Sequence, residues 1–178
     1  MSIVTPGTWQ LDPTHTEIGF SVRHLMSKVR GTFETFSGTL VTAEDITAST
    51  VSVEVDLSSI NTGTADRDNH LRSGDFFDVE SNPTMSFATT GVAQKSDNEF
   101  VVSGDLTIKG VTKPLDLAVE FLGEGKDPWG GTRVGVEATA SISRKEFGID
   151  FNIPLEGDKL MIGDKIAITI NAEAVLQA

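Results

Sequence analysis

From Ile18 onward the chain alternates apolar and polar residues, and this period of two recurs along most of its length. Ile18, Phe20 and Val22 share one face of an extended strand, because strand side chains point alternately to opposite sides, and His24 continues their row. Val51, Val53, Val55 and Leu57 form a second row, with Ser52, Glu54, Asp56 and Ser58 facing away. Leu115, Leu117, Val119 and Phe121 form a third, Val134, Val136, Ala138, Ala140 and Ile142 a fourth, and Ile166, Ile168, Ile170, Ala172 and Ala174 a fifth. Less regular strands are expected at 31–42, 84–90 and 99–109, which makes about eight one-sided antiparallel strands.

Such strands must bury their apolar faces either as a two-sheet sandwich or as a closed barrel, and the pattern alone does not choose. The turns fall at AEDITAS (43–49), QKSDNE (94–99), GVTKP (110–114), GEGKDPWGG (123–131) and EGDK (156–159). WQLDPTH (9–15) reads as a turn-rich entry to the first strand. Residues 58–83 are too long for a hairpin and predict a short helix. Thr64 caps it, Asp66 and Asp68 suit its positive end, and Ser73-Gly74 stops it after Leu71 and Arg72. Asp66 with His70, and Asp68 with Arg72, have the spacing of solvated i, i+4 pairs. Leu71, Phe76 and Phe77 beside that polar helix read as the underside of a lid. No internal repeat or linker interrupts the 178 residues, so one domain spanning 1–178 is expected.

The chain carries 26 acidic residues against 14 Lys and Arg, a net charge of −12, which disfavours nucleic acid and anionic membrane surfaces. Without cysteine there is no disulfide, thiol nucleophile or thiolate metal site. No apolar run is long enough for a membrane-spanning helix, and the N-terminal residues do not read as a secretory signal, so a cytoplasmic location is the expectation.

Motifs for nucleophilic, phosphate or dinucleotide chemistry are absent, and no cofactor or metal is expected. Asp12 and His15 in DPTHTE could serve as a general base or half a metal site; a capped turn accounts for them more simply. A hydrolase or metal-assisted enzyme built on Asp12, His15 and His70 is the alternative reading. A barrel with a filled core and a protein partner is a third. Two inward rows end in polar groups, one at His24 and the other at Arg144. Each needs a partner if buried, since an unpaired buried charge is costly. They either pair at a rim with a carboxylate such as Asp12, Asp68 or Asp150, or hold the polar head of a ligand whose tail lies along Phe20, Val22, Val55, Val119, Val136 and Ile168.

The segments WQLDPTHTEIGFSVRHL, RGTFETFSGTL, VSVEVDLSSINTG, DRDNHLRSGDFFDV, NPTMSF, VVSGDLTIKGVTKPLDL, ISRKEFGI and GDKIAITINAE, in this order, resemble the YceI-like polyisoprenoid-binding family along nearly the whole chain. The resemblance implies an extended, lipocalin-like, eight-stranded antiparallel β-barrel with a short helix capping one end and a long apolar pore. It implies a bound long-chain amphiphile, such as a polyisoprenoid, an isoprenoid quinone or a fatty acid or amide, held for storage or transport without chemical conversion. Matched residue by residue, His24, Asp68, His70, Arg72 and Arg144 fall on the family's polar positions, and a homodimer is what the resemblance favours. The chain departs from many members in showing no signal peptide and no tyrosine, and in having Asn82 where an aromatic often precedes the proline.

Overall fold

A computed structural model of the chain describes residues 3–157 and 160–178. Its strands are β1 (Gly7–Leu11), β2 (Glu17–His24), β3 (Ser27–Phe33), β4 (Phe36–Thr42), β5 (Thr50–Asp56), β6 (Ile60–Asn61), β7 (Thr84–Gln94), β8 (Glu99–Ile108), β9 (Val111–Lys126), β10 (Thr132–Ser143) and β11 (Ile162–Leu176). One helix, α1, spans Ala65–Arg72. Every named pairing is antiparallel, and the order β1-β4-β5-β7-β8-β9-β10-β11 closes on itself where Trp9 stands opposite Leu176. The fold is therefore a closed eight-stranded barrel.

The remaining three strands extend three staves of that ring. β11 pairs with β1 at Ala174↔Leu11 and then with β2 from Asn171↔Glu17 to Ile162↔His24. β3 and β6 prolong β4 and β5 in the same way, through Phe33↔Ile60 beside Phe36↔Val55. The expected strand at 31–42 is thus broken at Glu34 and Thr35, and the segment read as a turn-rich entry contains β1. Two of the breaks are built on aspartates: Asp12 and Asp56 accept from the backbone N–H two residues on, at 2.9 Å each, and close short 3₁₀ turns over 13–15 and 57–59. Such local bonds compete with the ladder, which period-two counting does not register.

The turn expected over 110–114 is narrower. Lys109 and Gly110, both left-handed, join β8 to β9, and Pro114 lies inside β9. Pairing of β9 with β10 reaches only Ala118, so Pro114 borders an open side of its strand, where a missing N–H costs no ladder bond. The turn over 123–131 shortens likewise to 127–131, and Asp158 and Lys159 of the expected EGDK turn lie outside the described residues.

Inward packing explains two glycines. A Cβ on Gly31 would stand 2.6 Å from the Phe20 ring, and one on Gly104 would meet Phe87. Each aromatic lies flat across the facing strand where no side chain obstructs it. Three apolar clusters follow the barrel axis: Val4, Trp9, Val134 and Ala174 at one end, Ile18, Phe33, Val55, Leu57 and Ile60 along one wall, and Phe76, Phe87, Leu106, Phe147 and Ile149 toward the end covered by α1.

Candidate functional site

The inward rows do not meet across the barrel. They enclose a cavity of about 520 Å³, which excludes a core filled by side chains. Phe20, Val22, His24, Val55, His70, Leu71, Phe76, Phe77, Val119, Val136, Arg144 and Ile168 all line it. Asp68 does not. The walls are almost wholly aliphatic and aromatic, and the ionisable groups that reach them are His24, Arg67, His70 and Arg144. Among the described residues no carboxylate and no lysine lines the cavity. In a chain with 26 acidic residues, this sorting leaves the cavity without a negatively charged side chain among the described residues, its remaining polar side chains being the hydroxyls of Thr42, Ser49 and Ser86.

The helical end is held by polar side chains. Thr64 stands at the N-cap of α1, but its side chain makes no capping bond. Asp68 is buried and accepts from the backbone N–H of Thr62 at 2.9 Å and from the Thr62 hydroxyl. Arg67 donates to the Thr62 hydroxyl and carbonyl, both at 2.7 Å. Neither expected i, i+4 pair forms. His70 Nε2 is 2.8 Å from Asp75, and Arg72 donates to the carbonyls of Ser58 and Ile60, tying α1 back to the barrel wall. The reason is reach: α1 lies against the barrel, and the Arg72 side chain finds backbone carbonyls of the wall instead of Asp68. The His70 ring stands edge-on to Phe76 and Phe151, with centroids at 5.0 and 4.9 Å, and Phe76 and Phe151 are 5.2 Å apart. Two lid segments, one following α1 and one following β10, meet at this seam.

Arg144 opens a 3₁₀ turn directly after β10 and is 4% exposed. Its guanidinium donates to four backbone carbonyls: Ile149 and Phe151 at 2.9 Å each, Gly163 at 2.8 Å and Ile162 at 3.3 Å. The expected carboxylate partner is thus replaced by carbonyls. Burial lowers its pKa from the ordinary arginine value, opposed by the charges of Asp164 and Asp150, but arginine stays protonated. Four of its five N–H groups are committed to these carbonyls, and the residue also lines the cavity. For His24, no ring hydrogen bond is made among the described residues.

Residues 9–174 match the YceI-like domain. The chain belongs to the YceI-like family. A UPF0312 protein of Vibrio vulnificus is 47% identical over 145 residues, which span 80% of this chain and 75% of that protein. The crystal structure of the Campylobacter jejuni YceI protein superposes with a TM-score of 0.74 at 29% identity, covering 100% of both chains. A polyisoprenoid binding domain from Saccharophagus degradans, implicated in plant cell wall breakdown, shares the fold at 16% identity, with a TM-score of 0.74, 97% of this chain and 100% of that one.

In this YceI-like barrel Asp12 and His15 belong to a different structure from the cavity. Asp12 is 2.8 Å from His15 Nδ1 and 2.7 Å from Arg133, which also reaches Asp127 at 2.9 Å and Glu173 at 3.4 Å. The hydrogen bond with His15, then that from Arg133, holds the Asp12 carboxyl far below the usual carboxylate range. These groups ring the outside of the end that Trp9 plugs. His70 stands with Asp75 instead, and among the described residues no three His, Asp or Glu side chains share a point where a metal ion could sit.

Two features of the site were not anticipated. Phe147, Ile149, Phe151 and Ile153 all line the cavity, although the segment that carries them is not a strand. Their alternation was present in RKEFGIDFNIP, a signal hidden by the turn residues around it. Arg67 is the second, screened from notice by its polar neighbours in ADRDNHLR.

Proposed function

We propose that this protein binds a long-chain amphiphile in the barrel cavity for storage or transport, without converting it chemically. The observation that carries this reading is the composition of the cavity wall: a largely apolar surface whose only ionisable groups, among the described residues, are His24, Arg67, His70 and Arg144. A cavity of about 520 Å³ lies within the roughly 300–1,000 Å³ of small-molecule sites. Tail burial supplies the driving force, at about 0.8 kcal/mol for each buried CH₂ before ordering costs. Donors without carboxylates favour a head group that accepts hydrogen bonds, such as a quinone carbonyl, a fatty carboxylate or amide, or the oxygen head of a polyprenyl compound. The polyisoprenoid ligand named for the Saccharophagus relative falls in this class. Phe20, Val22, Val55, Leu71, Phe76, Phe77, Val119, Val136 and Ile168 sheathe the tail, and His24, His70 and Arg144 face the head. Asp68 serves indirectly, by fixing the turn before α1.

Native mass spectrometry of the purified protein, followed by solvent extraction, tests the reading. A near-stoichiometric amphiphile supports it and names the cargo. If the protein is empty, titration with a fluorescent fatty acid and with its methyl ester decides. The acid should bind more tightly, and the difference should shrink in His24→Ala and Arg144→Met. Failure of both probes to bind would overturn the reading.

A further inference from the structure

The barrel carries one exposed apolar lip beside its cavity. β2 and β3 are joined by a two-residue turn, since His24 pairs with Ser27, and its two residues are Leu25 and Met26. Met26 is 97% exposed and Leu25 48% exposed. Leu25 is also left-handed, at φ 54°. Two-residue hairpin turns favour Asn, Asp or Gly at such positions, and a leucine there is strained. The chain thus spends backbone strain on displaying two large apolar side chains to water.

Beside the tip, Ile153 and Leu160 are exposed as well; the Leu25 N–H donates to the Met161 carbonyl at 2.7 Å and the Met161 N–H to the Ile153 carbonyl at 3.1 Å, so the hairpin tip and these residues form one lip. Ile153 is 45% exposed and also lines the cavity, as does His24 directly before the tip. The cavity therefore reaches the surface at the lip.

Charge marks what the hairpin half of the lip faces, the other half carrying the exposed Glu156. Residues 18–33 contain Arg23, Lys28 and Arg30 and no acidic residue, in a chain of net charge −12. All three are exposed, and Arg23 stands opposite Lys28 across the hairpin. We infer that the β2–β3 tip docks the barrel, mouth first, on an anionic lipid bilayer. Leu25 and Met26 enter the interface, and Arg23, Lys28 and Arg30 sit at headgroup level. The overall negative charge does not forbid this. Repulsion from the distant acidic groups is screened over about 8 Å at physiological salt, while charges at the contact act in full. The same asymmetry orients the molecule, turning the cavity mouth toward the membrane. Exposed Trp129, at the 127–131 hairpin of the other end, has Lys126, Asp127 and Arg133 around it and no comparable charge excess.

The test is co-sedimentation of the full chain, stripped of lipid, with vesicles of phosphatidylcholine alone and of phosphatidylcholine mixed with phosphatidylglycerol. This reads the docking surface and is blind to what the cavity holds, so it stands or falls apart from the ligand titration. Partition should be at least tenfold stronger on the anionic vesicles and should fall with added salt. Lys28→Glu/Arg30→Glu should lose about fivefold or more for each residue, from the worth of a basic side chain at an anionic surface. Leu25→Asn/Met26→Gly installs the pair that two-residue turns prefer, so folding is not at risk, and it should abolish sedimentation. Trp129→Ser should bind as the parent does. Equal partition on both vesicles, or wild-type binding by both tip variants, would overturn the inference. An absence of binding to either vesicle would do so too, leaving the lip to a protein partner.

Discussion

At one end of the barrel Trp9 is wholly buried between strands that are paired to their tips, and its indole N–H donates to the Thr42 hydroxyl at 2.9 Å. The Thr42 hydroxyl in turn donates to the Thr5 carbonyl at 2.7 Å, and outside the plug Arg133 gathers three carboxylates. At the other end the cover is made of turns and extended segments. Their carbonyls are collected by two arginines, and their contact with each other is an aromatic seam at His70, Phe76 and Phe151. One end is closed by ladder and packing, the other by side-chain bonds to irregular backbone. Segments of the second kind open at lower free energy than paired strands, so the difference assigns the Trp9 end to stability and the Arg144 end to passage.

The largest effect is expected at the plug. Trp9→Ala removes a fully buried indole and leaves the Thr42 hydroxyl one partner short, a loss of about 3–5 kcal/mol in chemical denaturation. The cavity lining near α1 should keep its ligand affinity once the variant is folded. A Trp9→Ala variant that is stable but no longer retains an amphiphile would reverse the assignment of the two ends.

Arg144→Met comes next. It leaves the carbonyls of Ile149, Phe151, Ile162 and Gly163 without their donor, costing about 2–4 kcal/mol as buried acceptors go unsatisfied. Amide exchange should accelerate over residues 148–157 while β1, β4 and β10 stay protected. Uniform acceleration would mean that Arg144 holds the barrel itself and not its cover.

The same contrast separates what the sequence disclosed from what it did not. Rows such as Val134 to Ile142 and Ile166 to Ala174 are regular because ladder and burial act on them together, and the five expected rows, Ala140 apart, line the cavity or lie in the core. α1 was legible from its flanking Ser73-Gly74 and its acidic first turn. The choice of barrel over sandwich was not written in the alternation; the resemblance supplied it, and the closing pair Trp9↔Leu176 joins residues far apart in the chain. The partners of Arg144, Asp68 and Arg72 were illegible for a different reason. Local spacing offered each a charged partner, whereas tertiary packing offered carbonyls and a threonine, and a buried carbonyl has no signature in a sequence.

The smallest effect concerns acid, and it probes the belt around the Trp9 end. Asp12 is held below its ordinary value of 3.8, first by His15 and then by Arg133, and Asp127 is lowered first by Arg133. A carboxylate with a depressed folded-state pKa stabilises the fold fully above its unfolded value, and the contribution fades as pH falls through the folded one. Stability should therefore be level near neutral pH and decline once the pH passes below 3.8, with a slope set by how many of these groups the unfolded chain protonates first and a total loss set by how far they are depressed. In Arg133→Met both aspartates lose a donor, Asp12 keeps His15 and the Thr14 N–H, and the acid-range loss should shrink in that window while the neutral-pH midpoint falls. Thermal melts of the two proteins across the range measure it. If the variant keeps the parent's slope, the belt contributes nothing to the Trp9 end, and that end rests on the indole and its ladder alone.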